Sequence, residues 1–182
     1  MTSEEKTLRI FVYGTLKRGE SNHPLMAGHS EIWNAWTVGD LYDLGSFPML
    51  NVTRVKHRIL ALSHKNLQED LQNQDEFSEK FAEKGRKLRL SKVVSGFPVY
   101  GDLVVFKGSE AFLGEVLERL DGLEGFQGNA LYDMYKRALV PVETMEGVTT
   151  AWAYIKGDNF SLDGASLLGG LWRKFGKKRR ST

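Results

Sequence analysis

The sequence of 182 residues contains no cysteine. This absence excludes disulfide scaffolds, zinc ribbons, iron–sulfur sites and thiol nucleophiles, and redox chemistry would need a bound cofactor. The four histidines have no His-x-x-x-His spacing, and no Asp- or Asn-rich loop resembles a calcium site. We therefore predict neither a metal nor a cofactor.

Long apolar runs are absent as well. The longest stretches without a formal charge are about ten residues, whereas a membrane-spanning helix needs roughly 20 apolar residues. The N-terminus, Met-Thr-Ser-Glu-Glu-Lys, lacks the basic segment and following apolar segment of a secretory signal. We expect a cytoplasmic protein with no membrane partner.

Charge is unevenly distributed along the chain. Residues 173–182 contain six Lys or Arg and no acid, so residues 1–172 keep 19 basic against 23 acidic residues, a net charge of −4. A hydrophobic content of 41% with only 4 prolines is typical of one globular domain. We interpret residues 161–182 as a flexible basic tail, and the acidic body argues against a nucleic-acid partner.

Strand patterns occur in the first and last thirds of the chain. Branched and aromatic residues at 8–13 predict a buried strand that ends in the glycine-bounded turn Gly14–Gly19. Asn22 is expected to cap a short helix with Pro24 in its first turn. Further strands are predicted at 33–42, 47–52 and 99–106, and a late hairpin at 134–142 and 148–155.

Residues 56–92 differ from the strands around them. They are rich in Lys, Glu, Gln and Asn, and their apolar residues are reduced to i,i+4 pairs such as Leu67/Leu71 and Phe77/Phe81. We interpret this segment as a charged helical insertion, which either covers a cavity or is a solvated decoration.

The clearest helix begins near Ser109, which can cap it, and continues toward Gly122 and Gly125. At roughly 100° per residue its apolar residues fall within an arc of about 140°, while Glu115 and Glu118 fall outside it. The arc contains Phe112, Leu113, Val116, Leu117, Leu120 and Leu123.

The acids at the end of this helix do not follow one pattern. If the helical phase continues, Glu124 lies inside the apolar arc and Asp121 lies just beyond its edge. An apolar surround raises the pKa of a carboxyl group, which suits it to carry a proton near neutral pH. If the helix instead ends at Gly122, Glu124 is an ordinary solvated acid.

Two motifs carry a family resemblance. Tyr13-Gly14-Thr15-Leu16 and Leu120-Asp121-Gly122-Leu123-Glu124-Gly125 resemble the γ-glutamylcyclotransferase-like superfamily, its AIG2-like group, and especially the γ-glutamylamine cyclotransferases. In that superfamily the first strand ends in Tyr-Gly-(Ser/Thr)-Leu, and a helix ends in Leu-Asp-x-x-Glu-(Gly/Ser). Further matches follow in the same order: Arg18-Gly19, Asn22-His23, Phe47-Pro48, Tyr135-Lys136-Arg137 and Ala151-Trp152-Ala153-Tyr154.

The resemblance implies an α+β fold, a small mixed or antiparallel β-barrel flanked by helices, over residues 8–160 with the insertion at 56–92. It also implies a cavity at the barrel mouth that holds a γ-glutamyl group. The implied reaction is intramolecular: the substrate's α-amino group attacks its own γ-carbonyl, and 5-oxoproline and a free amine are released without an enzyme nucleophile.

The resemblance also assigns roles to residues. The backbone N–H groups of the Gly14-Thr15-Leu16 turn are expected to hold the substrate α-carboxylate, with Tyr13 at the pocket wall. Glu124 is expected to be the general acid/base, and Tyr135 to line the same cavity.

Other residues in these motifs are expected to be structural. Asp121 is interpreted as a helix-end or fold residue and Arg137 as a structural residue that faces an acidic partner on the barrel. His23 is expected to make a local hydrogen bond, although contact with substrate stays open. Phe47-Pro48 and Trp152 are expected to form cavity wall or core.

Three other functions stay open at this point. The same chemistry could remove a γ-glutamyl protecting group in natural-product biosynthesis. The barrel could instead bind a small carboxylate without catalysis, or the tail could anchor the protein to a polyanion. In addition, the long link at 127–134 between Glu124 and Tyr135 could shift the cavity rim.

Overall fold

The structure is a computed structural model that describes residues 5–53, 59–83, 89–90, 96–129 and 131–173. Strands alternate with three helical segments along these residues. In chain order they are β1 (Lys6–Val12), a 3-10 helix (His23–Met26), β2 (Glu31–Val38), β3 (Asp40–Asp43), β4 (Pro48–Asn51), β5 (Ala61–Leu62), α1 (Leu67–Glu83), β6 (Pro98–Gly108), α2 (Glu110–Glu124), β7 (Tyr135–Thr144), β8 (Gly147–Lys156) and β9 (Ser166–Leu168).

Five of the strands close into a barrel in the order β2-β6-β1-β8-β7, because β7 also pairs with β2. The β1–β8 pair is parallel and the other pairs in the barrel are antiparallel. The short β5 extends the sheet beyond β7. The prediction of an α+β fold with a small mixed barrel flanked by helices is therefore confirmed.

The two faces of β1 serve different parts of the core. Leu8, Ile10 and Val12 belong to a cluster that also contains the apolar face of α2. Phe11 and Tyr13 alternate with them and belong to a second cluster that includes four alanines of β2, β7 and β8. Since side chains alternate across a strand, the first cluster lies between barrel and helix, and the second fills the barrel interior.

Helix α2 begins and ends as predicted. The Ser109 side chain caps its first turn by accepting a hydrogen bond from the Phe112 N–H, and Gly125, with φ of 67°, ends it in the left-handed conformation. The helical phase thus continues to Glu124. The predicted inward position of Leu123 is wrong: this side chain is 39% exposed, because the last turn overhangs a cavity.

The charged insertion at 56–92 is a structural part of the fold over its described residues, 59–83 and 89–90. Helix α1 packs against β8, β1 and α2. The buried Gln74 side chain accepts a hydrogen bond from the Arg9 N–H at 2.7 Å and donates one to the Thr7 carbonyl at 2.8 Å. Gln74 therefore pairs with β1 where the short β1–β8 pairing leaves backbone groups free.

The strand predicted at 33–42 is divided in two. Gly39 separates β2, which belongs to the barrel, from β3, which belongs to a separate sheet in the order β4-β3-β9. A Cβ atom at Gly39 would lie 2.5 Å from Cδ1 of Leu50, so a larger residue would displace the Leu50 side chain where the chain changes sheets.

The expected tail boundary at residue 161 requires correction. Strand β9 pairs with β3, and Trp172 is 1% exposed. Nζ of Lys17 donates a hydrogen bond to the Trp172 carbonyl at 2.6 Å, and Trp172 Nε1 donates to Asp43 at 3.2 Å. Residues up to 173 are therefore attached to the body, and the rest of the predicted tail, 174–182, lies outside the described residues.

Candidate active site

A cavity of about 320 Å³ opens at the end of the barrel where β1 runs into its glycine turn. It is surrounded by strand β1, the turn after it, the β3–β4 connection, the end of α2, the start of β7 and the end of β8. Its lining residues are Phe11, Val12, Tyr13, Gly14, Thr15, Leu16, Ser21, Asn22, Ser46, Phe47, Pro48, Leu123, Glu124, Met134, Tyr135 and Tyr154.

The turn Gly14–Leu16 presents unused backbone donors to this cavity. The turn is closed by the Lys17 N–H, which donates to the Gly14 carbonyl at 3.1 Å, and by the Asn22 N–H, which donates to the Thr15 carbonyl at 2.9 Å. Within the described part of the chain, the N–H groups of Gly14, Thr15 and Leu16 have no acceptor. Successive free N–H groups of this kind form a site for a carboxylate.

Position 14 has no room for a side chain. Pro48 of β4 packs directly against it, and a Cβ atom at Gly14 would lie 2.8 Å from Cγ and 2.9 Å from Cδ of the proline ring. The turn and β4 therefore close the floor of the cavity together. This contact connects the Tyr-Gly-Thr-Leu motif to the Phe-Pro motif.

Two buried tyrosines join β4 to the barrel. The Tyr135 hydroxyl donates to the Pro48 carbonyl at 2.7 Å. The Tyr13 hydroxyl donates to the Tyr154 carbonyl at 2.5 Å and accepts a hydrogen bond from the Leu50 N–H at 3.2 Å. Burial raises the pKa of both hydroxyls, and the nearby Glu124 carboxyl raises it further, so they stay neutral.

Glu124 is the last residue of α2, and its carboxyl group faces the cavity. No side chain or backbone group of the described residues forms a hydrogen bond with it. Burial raises the pKa of this carboxyl from 4.5 to about 7. It is therefore a free carboxyl group, half ionised near neutral pH, in the same cavity as the turn Gly14–Leu16.

A buried ionic cluster lies beside the last turn of α2. Nη1 of Arg137, on β7, contacts both carboxylate oxygens of Asp121 at 2.8 Å. Its Nη2 donates to Asp70 of α1 and to the Ser63 hydroxyl, each at 2.7 Å. The structural interpretation of Asp121 and Arg137 thus agrees with their contacts, although the acidic partners lie on helices and not on the barrel.

Tyr154 connects this cluster to the cavity wall. Its hydroxyl donates to Asp121 at 2.7 Å, while its own carbonyl accepts the hydrogen bond from Tyr13. Asp121 precedes Glu124 by three residues on α2. The cluster therefore holds the helical turn that positions Glu124.

The structure brings the six predicted site residues to one cavity, and their roles in binding and catalysis stay predictions. His23 makes the expected local hydrogen bond, from Nδ1 to the Leu16 carbonyl at 3.0 Å. Sequence reasoning missed Tyr154, Leu123 and Met134 as lining residues. Tyr154 alternates with Ala153 along β8, so strand periodicity placed it with the core but did not indicate the cavity.

Neither a metal-binding cluster nor a membrane-spanning helix is found among the described residues. No group of three His, Asp or Glu side chains there could hold a metal. No helix in the described ranges is long and apolar enough to cross a membrane.

Comparison with known proteins finds one similar family. The model of the family described as "Gamma-glutamyl cyclotransferase, AIG2-like" matches residues 10–94. No curated protein matches the chain significantly.

Solved structures that are similar to this chain have low sequence identity to it. An AIG2-like protein from Mus musculus is 18% identical, with 97% of this chain and 99% of that chain covered, and a TM-score of 0.53. YkqA from Bacillus subtilis is 22% identical, with a TM-score of 0.49; 91% of this chain is covered, but the chain spans only 39% of YkqA. The family match over residues 10–94 confirms the resemblance seen in the sequence motifs: over this segment the chain is similar to the AIG2-like gamma-glutamyl cyclotransferase family.

Proposed function

We propose that this protein is a γ-glutamyl cyclotransferase that converts a γ-glutamylamine into 5-oxoproline and a free amine. One observation carries the proposal: the unpartnered carboxyl group of Glu124 shares a cavity with the free N–H groups of the Gly14–Leu16 turn. A site that only binds a carboxylate has no need of a proton carrier with a pKa of about 7.

The turn supplies the binding part of the mechanism. Its N–H groups bind the α-carboxylate of the γ-glutamyl group in a fixed geometry, without a mobile cation. Tyr13 and Tyr135, whose hydroxyls bond to backbone carbonyls, form rigid walls that keep the glutamyl chain folded. Holding the α-nitrogen close to the γ-carbonyl supplies most of what a five-membered ring closure requires.

Glu124 supplies the proton transfer. A free α-amino group titrates near about 7.7–8.0, so a carboxylate with a pKa of about 7 can take a proton from the α-ammonium group. The neutral nitrogen then attacks the γ-carbonyl carbon, a C–N bond of the ring forms, and the amide C–N bond breaks. Glu124 returns this proton to the departing nitrogen and then takes the second proton, which the ring nitrogen must lose to become the lactam N–H. Transfer of that proton to the released amine gives an ammonium ion, so no proton has to come from outside.

The test is mass-spectrometric detection of 5-oxoproline after incubation with a panel of γ-glutamyl compounds. We expect product from wild-type protein and none from Glu124→Gln, with γ-glutamyl binding retained. Glu115→Gln is the matched control, because Glu115 is an exposed acid on the same helix. Retained binding without 5-oxoproline from any compound would instead support a carboxylate-binding barrel without catalysis.

A further inference from the structure

The cavity wall changes in character from floor to mouth. The floor is made of buried residues, among them Tyr13, Gly14, Leu16 and Tyr135. The mouth is made of residues that are half-buried or exposed, among them Phe47, Leu123, Met134 and Ser46. The two ends of a substrate can therefore be assigned to the floor and to the mouth of the cavity.

The charged end of a γ-glutamyl substrate belongs on the floor. Its α-carboxylate requires the N–H groups of the Gly14–Leu16 turn, and its α-nitrogen must reach Glu124. The γ-carbonyl lies three bonds from the α-carbon, so the leaving nitrogen also stays near Glu124. The body of the leaving amine must then project past Glu124 toward the mouth.

Three apolar side chains line the side of the mouth that is formed by the β3–β4 connection, the end of α2 and the residue before β7. Phe47 packs on Tyr135 with ring centroids 6.3 Å apart, and Leu123 and Met134 flank Glu124 from α2 and from the start of β7. Ser46 is the polar residue on this side, whereas the lining residues after β1 that are half-buried or exposed, Thr15, Ser21 and Asn22, are all polar. Among the described lining residues, Glu124 is the one side chain that can carry a full charge near neutral pH.

The loop before β7 carries two further exposed apolar side chains. The buried Asp133 carboxylate accepts hydrogen bonds from the Gln127 N–H at 3.1 Å and from the Asn129 N–H at 2.7 Å, which fixes the loop. Leu131 and Tyr132, directly before Asp133, are 68% and 83% exposed. Large exposed apolar side chains on a tied loop indicate a binding surface.

We propose that Phe47, Leu123 and Met134 form a leaving-group subsite for an apolar amine, so that the enzyme prefers γ-glutamyl derivatives of uncharged alkyl or aryl amines. This inference rests on the proposed cyclotransferase activity. An apolar body in the subsite removes hydrocarbon surface from water. A carboxylate on the leaving amine, as in an amino acid, loses water there without a cation to replace it.

A pair of matched substrates tests the preference. The γ-glutamyl amide of n-pentylamine and that of 5-aminopentanoate have the same chain length and differ by a terminal methyl or carboxylate. We expect kcat/KM for 5-oxoproline release to be at least about tenfold higher for the pentylamide. Equal values, or a preference for the carboxylate, overturn the inference and leave the cyclotransferase activity standing.

A charge placed in the subsite should change the preference. Leu123→Arg, at a half-exposed position, should raise kcat/KM for the aminopentanoate substrate and lower it for the pentylamide. Met145→Arg is the matched control, because Met145 is 93% exposed at the β7–β8 turn, the far end of the hairpin from Tyr135. An unchanged preference in a folded Leu123→Arg protein contradicts the subsite; if that protein does not fold, Leu123→Ser must reduce the pentylamide preference instead.

The outcomes separate the two proposals. Release of 5-oxoproline from either compound keeps the cyclotransferase proposal, and the ratio then decides the leaving-group inference. Absence of 5-oxoproline from both compounds and from the wider γ-glutamyl panel overturns the activity, and the subsite inference falls with it.

Discussion

Nη1 of Arg137 lies 2.8 Å from both carboxylate oxygens of Asp121, three residues before Glu124 on the same helix. The other guanidinium nitrogen binds Asp70 of α1. One arginine therefore joins the barrel, the helix that carries the proposed proton carrier and the helix of the insertion. The insertion thus acts as a support behind the site, and its described residues do not line the active-site cavity.

Replacement of Arg137 by Met should be strongly destabilising. It would leave the carboxylates of Asp70 and Asp121 buried without a cation, and breaking a buried pair typically costs about 3–5 kcal/mol. Urea unfolding followed by circular dichroism measures the loss. The neighbouring Lys136→Met is the control, because Lys136 pairs with Asp158 at the surface and such pairs contribute about 1 kcal/mol or less. Equal effects of the two substitutions would contradict the support role.

The features that sequence predicted are those with a local pattern. Alternation in β1 was sufficient to place Tyr13 at the end of a buried strand. The helical period of α2 left Glu124 either inside the apolar arc or in solvent, and the family resemblance assigned it to the cavity. The Asp70–Arg137 pair was not predictable in this way, because its partners are 67 residues apart and Asp70 lies in the charged insertion, whose polar sequence is typical of a solvent-exposed segment.

Exceptions to the local pattern occur where tertiary contacts override it. Leu123 fits the apolar arc of α2 but projects into the cavity mouth, since no element covers the last turn there. Trp172 lies between a glycine-interrupted segment and the basic run that begins at Arg173, yet it is buried because β9 pairs with β3 and places it against Lys17. Neither outcome follows from periodicity, because both depend on which elements meet in space.

Replacement of Gly14 by Ala should weaken both the fold and substrate binding. The added Cβ would lie 2.8 Å from Cγ of Pro48, and overpacking of this kind costs about 1–3 kcal/mol. Relief of the clash must move the turn, so we expect a raised KM for γ-glutamyl substrates. Gly122→Ala is the control: its Cβ meets no atom within 4 Å, and in a helix it should add up to about 1 kcal/mol of stability. Unchanged KM in Gly14→Ala would remove the turn from the binding site.

Replacement of Glu124 by Gln should stabilise the protein above pH 7. The folded state raises the pKa of this carboxyl from 4.5 to about 7, so it binds the proton more tightly than the unfolded state does. Below pH 4.5 the group is neutral in both states and does not change the free energy of unfolding. As the pH rises from 4.5 to about 7, the unfolded state ionises first and wild-type stability falls.

The size of this effect is limited by the open cavity. A rise in pKa from 4.5 to about 7 corresponds to at most about 3 kcal/mol, and access of water reduces the expected gain to about 1–2 kcal/mol. Urea unfolding at pH 4.5 and pH 8 should therefore show similar stabilities at the lower pH and a more stable Glu124→Gln protein at the higher pH. Glu115→Gln should show no such difference. A Glu124→Gln protein that is less stable than wild type at pH 8 would place Glu124 in a favourable ionic contact.

The pH dependence of catalysis should report the same group. Glu124 must be ionised to accept a proton, and Tyr13 and Tyr135, which also face the cavity, stay neutral because burial raises the pKa of their hydroxyls. We expect the acid limb of kcat/KM to have its midpoint near pH 7, with activity at pH 6 about tenfold below the ionised form. A midpoint near 4.5 would mean that the carboxyl is fully hydrated.

A substitution at the mouth tests the cause of the raised pKa. Burial is the cause, so Leu123→Ser, which admits water beside Glu124, should move the acid limb toward lower pH. Met145→Ser, at the opposite end of the β7–β8 hairpin, should leave it in place. If both variants keep the wild-type midpoint of the acid limb, the residues of the cavity floor bury Glu124. Leu123 then contributes to substrate choice and does not raise the pKa of Glu124.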